Sequence, residues 1–158
     1  MSSKFPGFQP ADLPDGARVA VVAARFNGEV VDELLNGCLR RLGELGIEGS
    51  GVEIHRVPGA FELPVAAKLL ARSKRFSSII ALGCIIRGDT PHFDYIAGEA
   101  ARGVQQVALD EMIPVIFGVL TVNTEEQAME RVGGKYHYGE RAAEGACEMM
   151  ALAYRIKR

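Results

Sequence analysis

The spacing of apolar residues changes period several times along the chain, and each change marks an element. "RVAVVAA" (18–24) is an unbroken apolar, β-branched run, which predicts a strand covered on both faces. Val30, Val31, Leu34, Leu35, Cys38, Leu39 and Leu42 then recur at helical spacing and predict a helix ending near Gly46. The alternation repeats, with strands at "VEIHRV" (52–57), "SSIIALGCII" (77–86) and "PVIFGVLT" (114–121) and helices between them over roughly 63–73 and 91–111. Two helices close the chain. One lies around 124–132 with Thr124 as its N-cap, and the other runs from about Glu140 to Ile156.

Strands separated by helices need right-handed crossovers, so the expected fold class is α/β: a three-layer α/β/α sandwich around a parallel four-stranded sheet. Residues 1–17, with Pro6, Pro10 and Pro14 and little periodicity, read as an irregular arm, and 18–158 as a single domain. A chain of 158 residues has room for one ordinary core. Ligands of such sheets collect beyond the carboxyl ends of the strands, which directs attention to "ARFN" (24–27), "VPGAFE" (57–62), "IIRGDTPH" (85–92) and "GVLT" (118–121).

Charge narrows the classes of partner. With 18 basic and 20 acidic residues nothing suggests a nucleic-acid face or membrane-surface binding, so any phosphate recognition must be local. Cys38, Cys84 and Cys147 lie far apart among apolar residues, which suits a reducing, cytoplasmic setting. No signal peptide or membrane-spanning run is evident. His55, His92 and His137 lack ligand-like spacing, so no metal site is expected.

The chemistry concentrates at the rims. In "RGDTPHFDY", Thr90 is placed as an N-cap, Pro91 at the first helical position and His92 in the first turn, where free N–H groups and the helix dipole make an anion site. The same turn also reads as a plain helix start. The Arg87-Gly88-Asp89 adhesion tripeptide is the weakest reading, since nothing else looks secreted. Gly59 and Ala60 allow close approach of a ligand to the backbone, and Glu62 can accept from hydroxyls or simply complement a helix dipole. Phe26 can stack on a planar heterocycle or sit in the core, and Phe117, inside a strand, reads as core. Arg131 can fork onto a phosphate or complement a helix end.

Taken in order, "RFN" (25–27), "VPGAFELP" (57–64), "IIRGDTPHFDY" (85–95), "PVIFGVLT" (114–121) and "EEQAMER" (125–131) resemble the 6,7-dimethyl-8-ribityllumazine synthase family. The resemblance implies a flavodoxin-like sheet and a cofactor-free transferase of riboflavin biosynthesis. That enzyme condenses 5-amino-6-ribitylaminouracil with 3,4-dihydroxy-2-butanone 4-phosphate, releasing phosphate and water. It further implies that Phe26 stacks on the pyrimidine while Gly59, Ala60, Phe61 and Glu62 hold the ribityl side. Ile85 and Ile86 would line the ring pocket, Gly88, Asp89 and Thr90 would cradle phosphate, and His92 would shuttle protons. Phe117 and Arg131 would arrive from an adjacent subunit of a homopentamer, an assembly that in some members builds icosahedral 60-mers. Riboflavin synthase is the partner enzyme the resemblance suggests. Where many bacterial members carry "GTKAGNKG", this chain has the shorter "GGKYHYG", with Tyr138 in place of a lysine and Lys135 as the nearby phosphate candidate. A carrier that binds flavin or lumazine without turnover, or a shell protein, would share the fold but would not need Thr90, His92 and Arg131 together.

Overall fold

The computed structural model describes residues 9–157. Four apolar segments form the strands β1 (Val19–Ala24), β2 (Val52–Val57), β3 (Ser78–Ile86) and β4 (Val115–Val122). All pair in parallel, in the order β2-β1-β3-β4. The crossovers are α1 (Gly28–Glu44), α2 (Leu63–Arg72) and α3 (His92–Glu111), followed by the short α4 (Glu125–Glu130) and the long α5 (Tyr138–Lys157). The three-layer α/β/α class read from the periodicity is therefore the observed one. Of the arm expected over 1–17, residues 1–8 lie outside the described residues, and Pro10–Asp12 makes a single 3-10 turn.

Alternation along the central strands splits the core into two halves. Val19, Val21 and Ala23 of β1, with Ile80, Leu82 and Cys84 of β3, pack under α1 and α5. Ala20 and Val22, with Ile79, Ala81 and Ile85, pack under α2 and α3. Every β1 residue is buried, as expected of a run apolar in both registers. The outer strand β2 is only partly covered. There Glu53 is held by Arg75 and His55, whose hydrogen bonds lower its carboxyl to about 2.

Three boundaries differ from the pattern. α3 begins at His92 with Pro91 as its cap: the Thr90 hydroxyl only accepts a long 3.4 Å bond from the His92 N–H, and no side chain caps the helix. Proline suits that place because it has no N–H to lose. α2 is preceded by a 3-10 turn, Ala60–Glu62, which makes Glu62 its N-cap residue. α5 starts at Tyr138, two residues before Glu140, because α1 and α5 come into close backbone contact there. A Cβ on Gly139 would collide with the Leu34 carbonyl, and one on Gly37 with the buried His137 ring. The Thr124 cap is as expected, with a reciprocal capping box to Gln127.

Candidate active site

The carboxyl ends of β1, β2 and β3 surround a cavity of ≈ 570 Å³. That is the size of an ordinary small-molecule site. Apolar side chains dominate its lining: Phe26 after β1, Pro58 and Phe61 after β2, Ile85 and Ile86 at the end of β3, and Phe93 and Ile96 from α3. Polar groups are few. Glu62 stands on one side, and Thr90 and His92 on the other beside Gly88. Phe26 is 72% exposed, an unusual state for a ring that size and the open face of the slot.

The local chain paths explain this arrangement. β1 extends past its last residue by following β2, with the Arg25 N–H donating to the Val57 carbonyl at 2.8 Å and the Phe26 N–H to the Pro58 carbonyl at 3.1 Å. On the opposite side, α3 brings its N-terminus to the cavity with His92 and Phe93, and the helix dipole there favours an anion, with the Asp94 N–H taken by the Pro91 carbonyl at 3.0 Å and the His92 N–H only weakly held by the Thr90 hydroxyl at 3.4 Å. Arg87 does not lie free beside it. Its guanidinium covers the Phe93 ring at 4.4 Å and donates to Asn123 at 3.0 Å and Asp94 at 3.5 Å, bracing the loop between β3 and α3. A side chain on Gly88 would project into open space, so packing within the chain does not demand glycine there.

Titration narrows the chemistry further. Cys84 lines the cavity, but burial pushes its thiol up to about 11, which leaves it protonated and poorly nucleophilic at neutral pH. Cys38 and Cys147 rise to about 12 for the same reason. Among the described residues no cluster of His, Cys, Asp and Glu could hold a metal ion. What remains is an apolar slot with an anion-attracting helix end and one imidazole, a group able both to take and to give protons.

The model of the 6,7-dimethyl-8-ribityllumazine synthase family matches residues 16–154. The chain belongs to the 6,7-dimethyl-8-ribityllumazine synthase family. It is 49% identical over 146 residues to 6,7-dimethyl-8-ribityllumazine synthase of Synechococcus sp. (strain WH7803), covering 90% of this chain and 91% of that protein. It is 46% identical over 145 residues to the enzyme of the same name from Syntrophus aciditrophicus (strain SB), covering 91% and 94%. A third such enzyme, from Desulfatibacillum aliphaticivorans, is 45% identical over 144 residues, covering 90% and 93%.

Lumazine synthase resemblance and geometry divide the candidate residues into two sets. Phe26, Gly59, Ala60, Phe61, Glu62, Ile85, Ile86, Gly88, Thr90 and His92 converge on one cavity within one chain. Asp89, Phe117, Arg131 and Lys135 do not line it. Phe117 projects from the outer strand β4, 37% exposed. Arg131 follows α4, where its Nη1 donates to the Gln127 carbonyl at 2.9 Å and lies 3.9 Å from Glu130. The shortened "GGKYHYG" turn is closed by the Tyr138 N–H donating to the Arg131 carbonyl at 2.9 Å, and Lys135 lies over the Tyr136 ring at 6.0 Å. Sequence reasoning missed Pro58, Cys84, Phe93 and Ile96 as lining residues. Phe93 and Ile96 could have been found, because Ile96 lies one turn beyond His92 on the same face and Phe93 three residues before Ile96.

Proposed function

We propose that this cavity joins 5-amino-6-ribitylaminouracil to 3,4-dihydroxy-2-butanone 4-phosphate, giving 6,7-dimethyl-8-ribityllumazine, phosphate and water. The observation that carries this reading is the meeting, in one cavity, of the exposed Phe26 ring, the apolar Ile85–Ile86 wall and His92 at an inward-pointing helix N-terminus. The pyrimidine stacks on Phe26, and Glu62 with the turn at Gly59–Phe61 takes the ribityl hydroxyls. Gly88, Asp89 and Thr90, with the α3 N-terminus, receive the phosphate.

The uracil amine adds to the butanone carbonyl, water leaves to form the imine, and phosphate is then eliminated. Tautomerisation follows, and the second amine closes the ring on the remaining carbonyl with loss of water. His92 takes and returns the protons these steps release. The elimination needs no metal-bound or cysteine nucleophile, because the phosphate leaves as an anion toward a site built for anions. Such proton transfer is worth about 10²–10⁴-fold, and holding two substrates together supplies much of the remainder.

Phe117, Arg131 and Lys135 act from the neighbouring subunit of a homopentamer, with 60-mer assembly as a further possibility of the same contacts. The position of these residues outside their own chain's cavity supports this arrangement. The product passes to riboflavin synthase in the cytoplasm. Mixing the two substrates with the protein and following lumazine fluorescence tests the proposal. Rapid lumazine formation is expected. Tight lumazine binding without turnover would replace the enzyme by a carrier.

A further inference from the structure

The sheet order β2-β1-β3-β4 makes the gap between β1 and β3 the point where the chain connections diverge: β1 leads outward to β2, and β3 outward to β4. The β1–β3 ladder runs from Val19 opposite Ser78 to Ala23 opposite Leu82. Beyond it the strands part company. Residues 25 and 26 follow β2, while β3 stays paired with β4 as far as Ile86 opposite Val122. Phe26 therefore stands on one bank of the crevice, and Ile85 and Ile86 on the other.

One side chain crosses between the banks. The Asn27 Nδ2 donates to the Cys84 carbonyl at 2.8 Å. Asn27 occupies the N-cap position of α1, where an asparagine ordinarily accepts from the helix's own N–H groups, yet its side chain makes no such bond. Its backbone is left-handed, at φ 57° and ψ 43°, a conformation asparagine tolerates better than most residues. Its carbonyl meanwhile accepts from the N–H groups of Val30 and Val31, both at 3.1 Å. The residue thus starts the helix through its backbone and leaves its amide for the crevice.

We propose that Asn27 is a positioning residue of the pyrimidine slot: its amide ties the Phe26 bank to the β3 bank and sets the spacing between the Phe26 ring and the Ile85–Ile86 wall. Asn27 does not line the cavity itself, so it acts through those neighbours. The inference rests on the reading of this slot as the pyrimidine site.

The test compares Asn27→Gly, which keeps the left-handed backbone and removes the amide, with Asn27→Asp, which keeps the shape but sets oxygen against the Cys84 carbonyl. Phe26→Ala serves as the reference for the slot. For Asn27→Gly, KM for the uracil substrate and Kd for 6,7-dimethyl-8-ribityllumazine should rise together by about 3–10-fold, the scale of one hydrogen bond. KM for the butanone phosphate, kcat and Tm should stay near their starting values. Asn27→Asp should weaken uracil and lumazine binding at least as much, and it carries the test should the glycine variant not fold. Unchanged KM and Kd in both variants, beside a clear loss in Phe26→Ala, would overturn the role of Asn27 and leave the slot intact. No loss in Phe26→Ala either would overturn the pyrimidine slot and this inference with it. A lowered Tm with both KM values raised alike in the Asn27 variants would make the residue structural only.

Discussion

The two faces of the sheet are finished to different degrees. Under α1 and α5 the packing is closed: Leu34, Leu42, Cys38, Ala143, Ala146 and Cys147 are wholly buried, and the helices approach until glycines at 37 and 139 are the only residues that fit. Over the other face, α2 turns Leu63, Ala67, Leu70 and Ala71 inward but carries Val65 and Leu69 outward, with Phe61 in the 3-10 turn before it, each more than half exposed. Leu109 and Met112 are likewise exposed at the end of α3. Exposed apolar residues in that number are uncommon on a solitary chain and are what the proposed subunit contact would cover. The cavity opens at the rim of this sheet, and Phe117 projects on the same unfinished side. The closed face supports the fold, and the open one suits the shared site proposed above.

The largest effect should follow from breaking the closed face. In Gly139→Ala the new methyl group meets the Leu34 carbonyl, a backbone atom that cannot swing aside. Overpacking of this kind costs about 3 kcal/mol or more. At roughly 2–4 °C per kcal/mol for a chain of this size, Tm should fall by about 10 °C in calorimetry. A variant as stable as the parent would show that α1 and α5 are not in such contact.

Next in size are the substitutions that divide the site between copies. His92→Ala should lower kcat by about 10–10³-fold with lumazine binding retained, since proximity of the substrates survives. Arg131→Ala should instead raise KM for the butanone phosphate by about tenfold, because a guanidinium fork reads phosphate and not the pyrimidine. Dissociating and reassembling the two variants together should recover activity by forming sites that contain both native residues. Mixed rings confirmed by mass spectrometry yet without recovered activity would return Arg131 to its own chain's site.

The layers and their order were legible because apolar periodicity is a local report of burial. The unbroken run of β1, the stripe of α1 and the Thr124–Gln127 capping box each carry their signal within a few residues. The Gly37–His137–Gly139 contact joins residues about a hundred positions apart, and no local pattern announces such a fit. The candidate site was legible to the same extent: Glu62, Ile85 and His92 line a cavity at rims that any parallel sheet exposes. Arg131 was readable as a phosphate fork by its residue type, but placing it and Phe117 in a shared site came only through family resemblance, since one chain does not bring them to the cavity. Asn27 drew no reading of its own from the sequence, because its amide's partner lies on a strand much further along the chain.

A charge on the open face should have a smaller effect on the chain than on its assembly. Leu69→Lys alters a residue 70% exposed, so chain stability should change by no more than about 0.5 kcal/mol. If α2 meets a neighbouring subunit, sedimentation should show smaller species at low protein concentration, with activity per chain falling about tenfold and returning as concentration rises. Unchanged assembly would move the subunit contact away from α2.

The smallest effect concerns acid, and it arises on the closed face. His137 is 6% exposed, and burial lowers its pKa below the ordinary 6.5, with Arg40 acting in the same direction and Glu140 and Glu33 opposing. Its Nδ1 accepts the Gly139 N–H at 3.1 Å, a bond that protonation of that nitrogen would abolish. The folded chain therefore holds His137 neutral where the unfolded chain has begun to bind a proton. Stability from this group is complete above the unfolded pKa and is lost as pH falls below about 6.5 toward the lower folded value. Glu53, lowered to about 2, loses its contribution only below its ordinary 4.5, so the two windows are separable. Between pH 7.5 and 5.5 the parent's Tm should fall more than that of His137→Gln, which keeps an amide near Gly139 but cannot titrate. Parallel decline of the two proteins would show that His137 is charged, or solvated, in the fold, and that the closed face is looser at the start of α5 than its glycines suggest.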